Sequence, residues 1–255
     1  MTPSTAAGRL VVLPDLRASG REQMRLDERL LDEAQEPVAR RYVWVPPAVS
    51  LGKFQRLPGE TAGDEWTADA WQAGRAARPP VGLDVVRRPT GGRAVLHGAG
   101  FKWSFALVFP LAALGPPSLQ ASYRFVNDAF TSALERGGVA LDPAREIPYQ
   151  RSGLCFATAL RHDLLVGGEK VVAIAQARRG PRVLVHGSVL ERRPPAALVA
   201  EVERLVGEPW RGEGLAGTGC NVDADALWDA VTTYLAEALD AELRKATPRA
   251  EVSIA

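Results

Sequence analysis

Residues 87 to 98 read Arg-Arg-Pro-Thr-Gly-Gly-Arg-Ala-Val-Leu-His-Gly, and these types suit a cradle for an extended polar or anionic ligand. Gly91 and Gly92 have no side chains, so a ligand can lie directly on their backbone N–H groups. Arg87, Arg88 and Arg93 put fixed positive charge around the same loop, and a guanidinium fork suits phosphate and carboxylate oxygens. A second block, residues 152 to 190, holds a thiol, an amine and an imidazole. Cys155 stands before an aromatic at the expected start of a strand. Lys170 follows a Gly-Gly-Glu turn, and His186-Gly187-Ser188 falls in the middle of a later strand.

Each group also has a plainer explanation. A free cysteine is most often a small buried hydrophobe. A lysine after a Gly-Gly turn is ordinarily a solvated hairpin charge. His97 and His186 read equally well as satisfied strand histidines, and His162 as a solvent-facing one. Arg178, Arg179 and Arg182 form a basic cluster in an expected loop, and Cys220 is incidental.

The elements that must position these groups follow from periodicity. Leu10 to Leu13 is a short apolar run, expected as a first strand. Met24, Leu26, Leu30 and Leu31 recur among charges over 21 to 34, which predicts an amphipathic helix. Strands are expected over 41 to 45, 48 to 54 and 83 to 88, with a short helix near 65 to 76. Phe101, Trp103, Phe105, Leu107 and Phe109 recur at period two, a strand with one strongly apolar face. Leu119, Tyr123, Val126, Phe130 and Leu134 make a helical stripe that Gly137-Gly138 ends. Several strands are expected between Cys155 and Leu190, then closing helices over 195 to 206 and 223 to 245. This mixed order predicts an α+β fold, a mostly antiparallel mixed sheet packed by helices, rather than alternating βα units. The whole chain, 1 to 255, reads as one catalytic domain with frayed ends at 1 to 9 and 246 to 255.

Composition sets the outer bounds. The chain is 46% hydrophobic and 24% charged, ordinary for a globular protein. A net charge of +1 provides no field that would gather nucleic acid or an anionic membrane. No apolar run is long enough to span a bilayer, and the N-terminus does not read as a signal peptide. Cys155 and Cys220 lie far apart and make neither a disulfide framework nor a zinc site. The expectation is a cytoplasmic monomer with no metal centre.

Residues 87 to 97 resemble the Arg-Arg-x-x-Gly-Gly-x-Ala-Val-x-His motif of the lipoate–protein ligase and octanoyltransferase family. Other segments carry the same resemblance: Asp27-Glu28, the stretch from Trp44 to Gln55, Asp163-Leu164, Gly168-Glu169-Lys170, Ala175-Gln176, and His186 to Leu190. It runs from about residue 10 to about residue 240 and implies the catalytic domain of biotin and lipoyl protein ligases. The form Arg-Arg-Pro-Thr-Gly-Gly-Arg and the Cys155-Phe156 pair are most similar to the cysteine-dependent octanoyltransferase branch of Gram-positive bacteria.

That resemblance implies a ping-pong mechanism. Cys155 attacks the thioester of octanoyl–acyl carrier protein. The acyl-cysteine then passes the octanoyl or lipoyl group to a lysine of a lipoyl domain or of a glycine cleavage H-like protein. Lys170, as an ammonium, would favour the thiolate and an oxyanion; as a neutral amine it could accept a proton from the incoming lysine. Thr90, Ala94, Val95, Ala173, Ala175, His186, Gly187 and Ser188 complete the implied substrate site with His97, Gly91 and Gly92. Arg87 and Arg88 would face a phosphate, of phosphopantetheine or of ATP. Carrier proteins of this kind are acidic, so the 178–182 arginines could form a docking patch.

No cofactor is implied for the transferase. ATP and magnesium would be needed if the chain is instead an ATP-dependent ligase acting through lipoyl-adenylate. A third possibility is a non-catalytic acyl-binding relative, which three departures from the pattern motivate. Gly98 stands where the family has an aspartate that could orient His97, and Ala173 and Ile174 stand where it has Gly-Ser.

Overall fold

The computed structural model describes residues 8–58, 82–114, 118–143, 151–161 and 163–247. The helix expected near 65 to 76, His162 and most of both expected frayed ends lie outside these residues.

The architecture is α+β, as the element order implied. A large mixed sheet is built on β1 (Gly8–Val12), β3 (Val38–Trp44), β7 (Lys102–Pro110), β8 (Leu164–Val166), β9 (Glu169–Arg179), β10 (Arg182–Leu190) and β11 (Ala241–Lys245). Its order is β11-β1-β3-β7-β10-β9-β8, with β2 (Leu16–Ala18) also pairing β3. The centre and the β8 edge are antiparallel, whereas β11, β1 and β3 run parallel to one another. A small second sheet, β5-β4-β6, is made by β4 (Ala48–Leu51), β5 (Asp84–Arg87) and β6 (Val95–His97).

Helix α1 (Gly20–Glu33) begins where Ser19 accepts from the Glu22 N–H and Glu22 reaches back to the Ser19 N–H, a capping box. Helices α2 (Leu119–Arg136) and α5 (Ala224–Ala238) start on Ser118 and Asp223, whose side chains accept from backbone N–H groups. Between them in sequence lie α3 (Ala196–Val206) and the single turn α4 (Gly214–Gly217). The stripe Val126, Phe130 and Leu134 of α2 packs with Trp228, Val231 and Leu235 of α5 against Trp103, Phe105, Leu107 and Phe109 of β7. The other face of β7 is buried too, because the small sheet and α1 cover that side.

Three expectations need correction. The segment 223 to 245 is not one helix: α5 ends at Ala238, and Asp240, at φ 49°, turns the chain into β11. Residues 8 and 9 are not frayed, because β11 pairs with them in β1. Cys155 does not start a strand; Cys155–Ala157 is a 3-10 turn. The first two errors share one cause. A parallel edge pair between the two ends of the chain leaves no local pattern.

Candidate active site

A cavity of about 510 Å3 opens between the two sheets. Its wall includes Arg88, Gly91, Gly92, Arg93, Val95 and His97 from the glycine loop and β6. Cys155 lies in the wall beside Lys170, Ala173 and Ala175 of β9 and His186, Gly187 and Ser188 of β10. Most of the residues singled out in the sequence are therefore brought together. Arg87, Thr90 and Ala94 are not in the wall, and each has a different task.

Ala94 joins the two motifs. Its N–H donates to the Gly153 carbonyl and its own carbonyl accepts from the Cys155 N–H, both at 2.9 Å. These bonds hold the 3-10 turn against the glycine loop. Glu208 fixes the turn from the other side, accepting from the Gly153 N–H at 2.8 Å and from the Ser152 hydroxyl at 2.6 Å.

The loop itself is tied down by the arginines expected to bind phosphate. Arg87 donates to the carbonyls of Gly52 and Gln55 at 2.9 and 2.7 Å. Arg88 is buried and donates to the carbonyls of Ser50, Gly91 and Arg93 and to the hydroxyls of Ser50 and Thr90. Burial draws its value down to about 10, still a cation at neutral pH. Gly92, at φ 100°, has no room for a Cβ, which would lie 2.7 Å from the Arg88 guanidinium. Arg87 and Arg88, which the resemblance would set facing a phosphate, donate here to carbonyls and hydroxyls of the protein, charge-assisted bonds that shape the loop.

Two buried hydrogen-bond chains run out from Arg88. In one, the Thr90 hydroxyl meets His186 Nε2 at 2.6 Å, and His186 Nδ1 meets Asp27 at 2.9 Å. Asp27 also accepts from Arg40, at 2.7 and 2.9 Å, and from the Tyr42 hydroxyl at 3.1 Å. Burial alone would raise the Asp27 value, but Arg40 and His186 outweigh it and hold the carboxylate low. In the other chain, Ser50 Oγ meets His97 Nε2 at 2.8 Å, His97 Nδ1 meets Ser104 Oγ at 3.2 Å, and Ser104 meets Ser188 at 3.1 Å. His97 also stacks on Trp44 at 4.0 Å between ring centroids. Burial first, then the charges of Lys102 and Arg88, press its value well below 6.5, so the ring is neutral.

The absent aspartate at position 98 is therefore not a gap in orientation. Two hydroxyls and a stacked indole hold His97, and the acidic partner belongs to His186 instead. A Cβ at Gly98 would lie 2.7 Å from the Phe101 ring and 3.2 Å from Pro47. Gly187 is equally constrained: a Cβ there would meet the Ala173 carbonyl at 2.3 Å. Ala173 and Ile174 do line the cavity, opposite Ser188 and Gly187 in register.

The reactive corner is built differently. Lys170 Nζ lies 2.8 Å from Asp163, 2.6 Å from the Cys155 carbonyl and 3.9 Å from Cys155 Sγ. Burial would lower the Lys170 value, but Cys155 and Asp163 together raise it, so it stays an ammonium. That direction favours the ammonium role of Lys170 over that of a neutral proton acceptor. The basic cluster, expected in a loop, instead ends β9 and opens β10, and it is occupied as well: Arg179 pairs with Asp32, Arg182 donates to the Ala34 carbonyl, and Arg178 donates to Ser118 and Ser122.

Sequence reasoning missed Lys102, Ser104, Arg40 and Glu208, and left Asp27 and Asp163 as bare resemblances. Lys102 and Ser104 alternate with the apolar stripe of β7, which reads as a solvent face when the covering layer is unknown. Asp27 reaches His186 across 159 positions, a pairing no local pattern carries.

Comparison with known proteins agrees with this geometry. Residues 19–197 match the model of the lipoyl protein ligase A/B catalytic domain. Octanoyltransferase LipM of Kyrpidia tusciae is 33% identical over 234 residues, covering 84% of this chain and 80% of that protein. Octanoyltransferase LipM of Carboxydothermus hydrogenoformans is 34% identical over 181 residues, covering 68% of this chain and 61% of the relative, so this chain spans about three fifths of that protein's length. A T. acidophilum protein solved with bound lipoic acid superposes with a TM-score of 0.66 at 21% identity, over 95% of this chain and 90% of that one. With a matched catalytic-domain model, relatives above 30% identity and the shared fold in agreement, this chain belongs to the lipoyl protein ligase A/B catalytic-domain family.

Proposed function

We propose that this protein transfers an octanoyl group from acyl carrier protein to a lysine of a lipoyl carrier domain, through a thioester on Cys155. The observation that carries this reading is the placement of a free cysteine in the wall of a mostly apolar cavity, with a buried ammonium 3.9 Å from its sulfur. Relatives named octanoyltransferase support it.

In the first half-reaction, Cys155 Sγ attacks the thioester carbonyl. A bond forms from Sγ to the acyl carbon, and the bond to the phosphopantetheine sulfur breaks; that sulfur leaves as a thiol. In the second, the ε-amine of the acceptor lysine attacks the acyl-cysteine. An amide forms, and Cys155 returns to its thiol. Lys170 supplies positive charge for the thiolate and for the oxyanion of both steps. Val95, Ala173 and Ile174 give the acyl chain apolar walls. Each buried methylene contributes about 0.8 kcal/mol, so an eight-carbon chain binds usefully without a charged handle.

Intact mass after mixing with octanoyl–acyl carrier protein tests this directly. The expected result is one added octanoyl group, labile to hydroxylamine and absent in Cys155→Ala. No addition in folded protein, together with pyrophosphate exchange on adding ATP and lipoate, would assign the chain to the ligase chemistry instead. Bound octanoate with neither reaction would make it an acyl binder.

A further inference from the structure

Lys102 projects from β7 on the face that carries Ser104, and only 1% of it is exposed. Its side-chain nitrogen makes no hydrogen bond or ion pair among the described residues. It rests instead 3.8 Å from the centroid of the Phe156 ring, and 6.0 Å from that of Trp210. Phe156 is the neighbour of Cys155 in the 3-10 turn, and Lys170 lies over the same ring at 5.9 Å.

A buried ammonium with no hydrogen-bond or ion-pair partner is expensive, so this position favours the neutral amine. The cations near Cys155 are already matched. Asp163 balances Lys170, and the Arg88 donors are held by carbonyls and hydroxyls. We propose that Lys102 is a positioning residue for Cys155: a buried amine that rests neutral and becomes an ammonium counter-ion when the sulfur ionises. This rests on the reading of Cys155 as the nucleophile.

The proton balance is closed. Cys155 goes from thiol to thiolate as Lys102 goes from amine to ammonium, so the site gains no net charge. When the thiolate is consumed by acylation, Lys102 loses its partner charge, and the proton it releases balances the one taken up by the departing thiol. The groups facing Lys102 fit this role. Cys155 on the 3-10 turn and Lys170 on β9 act on Lys102 electrostatically, Lys102 acts likewise on His97 of β6, and β10 sets apolar Leu190 beside it in register. Burial brings the Lys102 value down to about 7, with Lys170 pressing the same way and Cys155 opposing. That shift is toward the neutral amine. Lys170, held by Asp163, shifts the other way.

The test is iodoacetamide alkylation of Cys155 across pH, on the full chain in a Cys220→Ser background, with and without Lys102→Met. Methionine keeps the length and removes an unpartnered polar group. The expected result is a rate about ten-fold lower at neutral pH in the methionine variant, one unit of displacement in the profile, with the two rates converging in strong alkali. Superimposable profiles would overturn the proposal. If the variant does not fold, the unmutated protein decides. The chain has four lysines, Lys53, Lys102, Lys170 and Lys245, so Lys102 can be followed by carbon-13 NMR. Its midpoint should fall once Cys155 is alkylated, and an unchanged midpoint would overturn the proposal. Neither measurement needs an acyl donor. Coupling without acyl transfer would sink the proposed function and leave Lys102 as thiolate counter-ion; acyl transfer without coupling would sink the Lys102 role alone.

Discussion

On the glycine-loop side of the cavity, Arg88, Thr90, His97 and His186 are joined to one another and to Asp27, Arg40, Ser50 and Ser104 by hydrogen bonds. On the Cys155 side, Lys102 has no hydrogen-bond partner among the described residues and Lys170 has a carboxylate, a carbonyl and a thiol. The charged and polar groups on both sides are buried, with Cys155 itself half-buried. The sides differ in whether their polar groups can change state. A network with every donor engaged has one arrangement and resists reorganisation. A corner with an unmatched amine beside a thiol can redistribute a proton. The arginines of the most conspicuous motif are thus engaged within their own loop, while Cys155 and Lys170 of the second block sit at the less constrained corner with Lys102 close to Phe156.

Variants on each side should separate scaffold from chemistry. Cys155→Ala should abolish acyl-enzyme formation while leaving thermal stability within about 1 kcal/mol, since a half-buried thiol is a small loss. A variant that still accumulates the thioester, read by intact mass, would move the nucleophile elsewhere. Asp27→Asn should do the reverse. It leaves Arg40 buried without its anion, at a cost of about 3–5 kcal/mol in urea unfolding. Cys155 alkylation in the folded fraction should change little; a large change would mean the two sides are coupled.

Gly98→Asp should lower stability by about 1–3 kcal/mol, because the new Cβ crowds the Phe101 ring in a filled core. A gain in stability would instead show that His97 lacks an orienting acid.

The smallest expected effect concerns pH. His97 is held below 6.5 in the folded protein, by burial first and then by neighbouring cations. The unfolded chain therefore takes up that proton before the native one does. The resulting stability is fully present above about pH 6.5 and is lost as pH falls toward the folded value. Melting curves from neutral to mildly acid pH should show a shallower decline in His97→Asn than in the parent. Parallel slopes would mean that His97 is charged in the native state, contrary to the neutral stacked ring.

Much of the fold was legible before any coordinates. The α2 stripe and the alternation in β7 are local patterns, and burial of one face enforces each of them. Arg88, Gly92, Cys155 and Lys170 could be singled out by type and spacing, because their neighbours in sequence are also their neighbours in space. The roles were less legible than the residues. An arginine beside glycines reads as an anion ligand, yet Arg88 turns inward to backbone carbonyls once the loop folds over it.

The chain by itself determined the helices, the central strands and the pool of reactive side chains, since these depend on periodicity and residue chemistry within a few positions. Only the tertiary structure decided that β11 pairs with β1, that Asp27 rather than a residue beside His97 supplies the buried acid, and that Lys102 lies without a partner against Phe156. Each of those depends on long-range packing, which sets the solvent exposure and the partners that an isolated residue type leaves open.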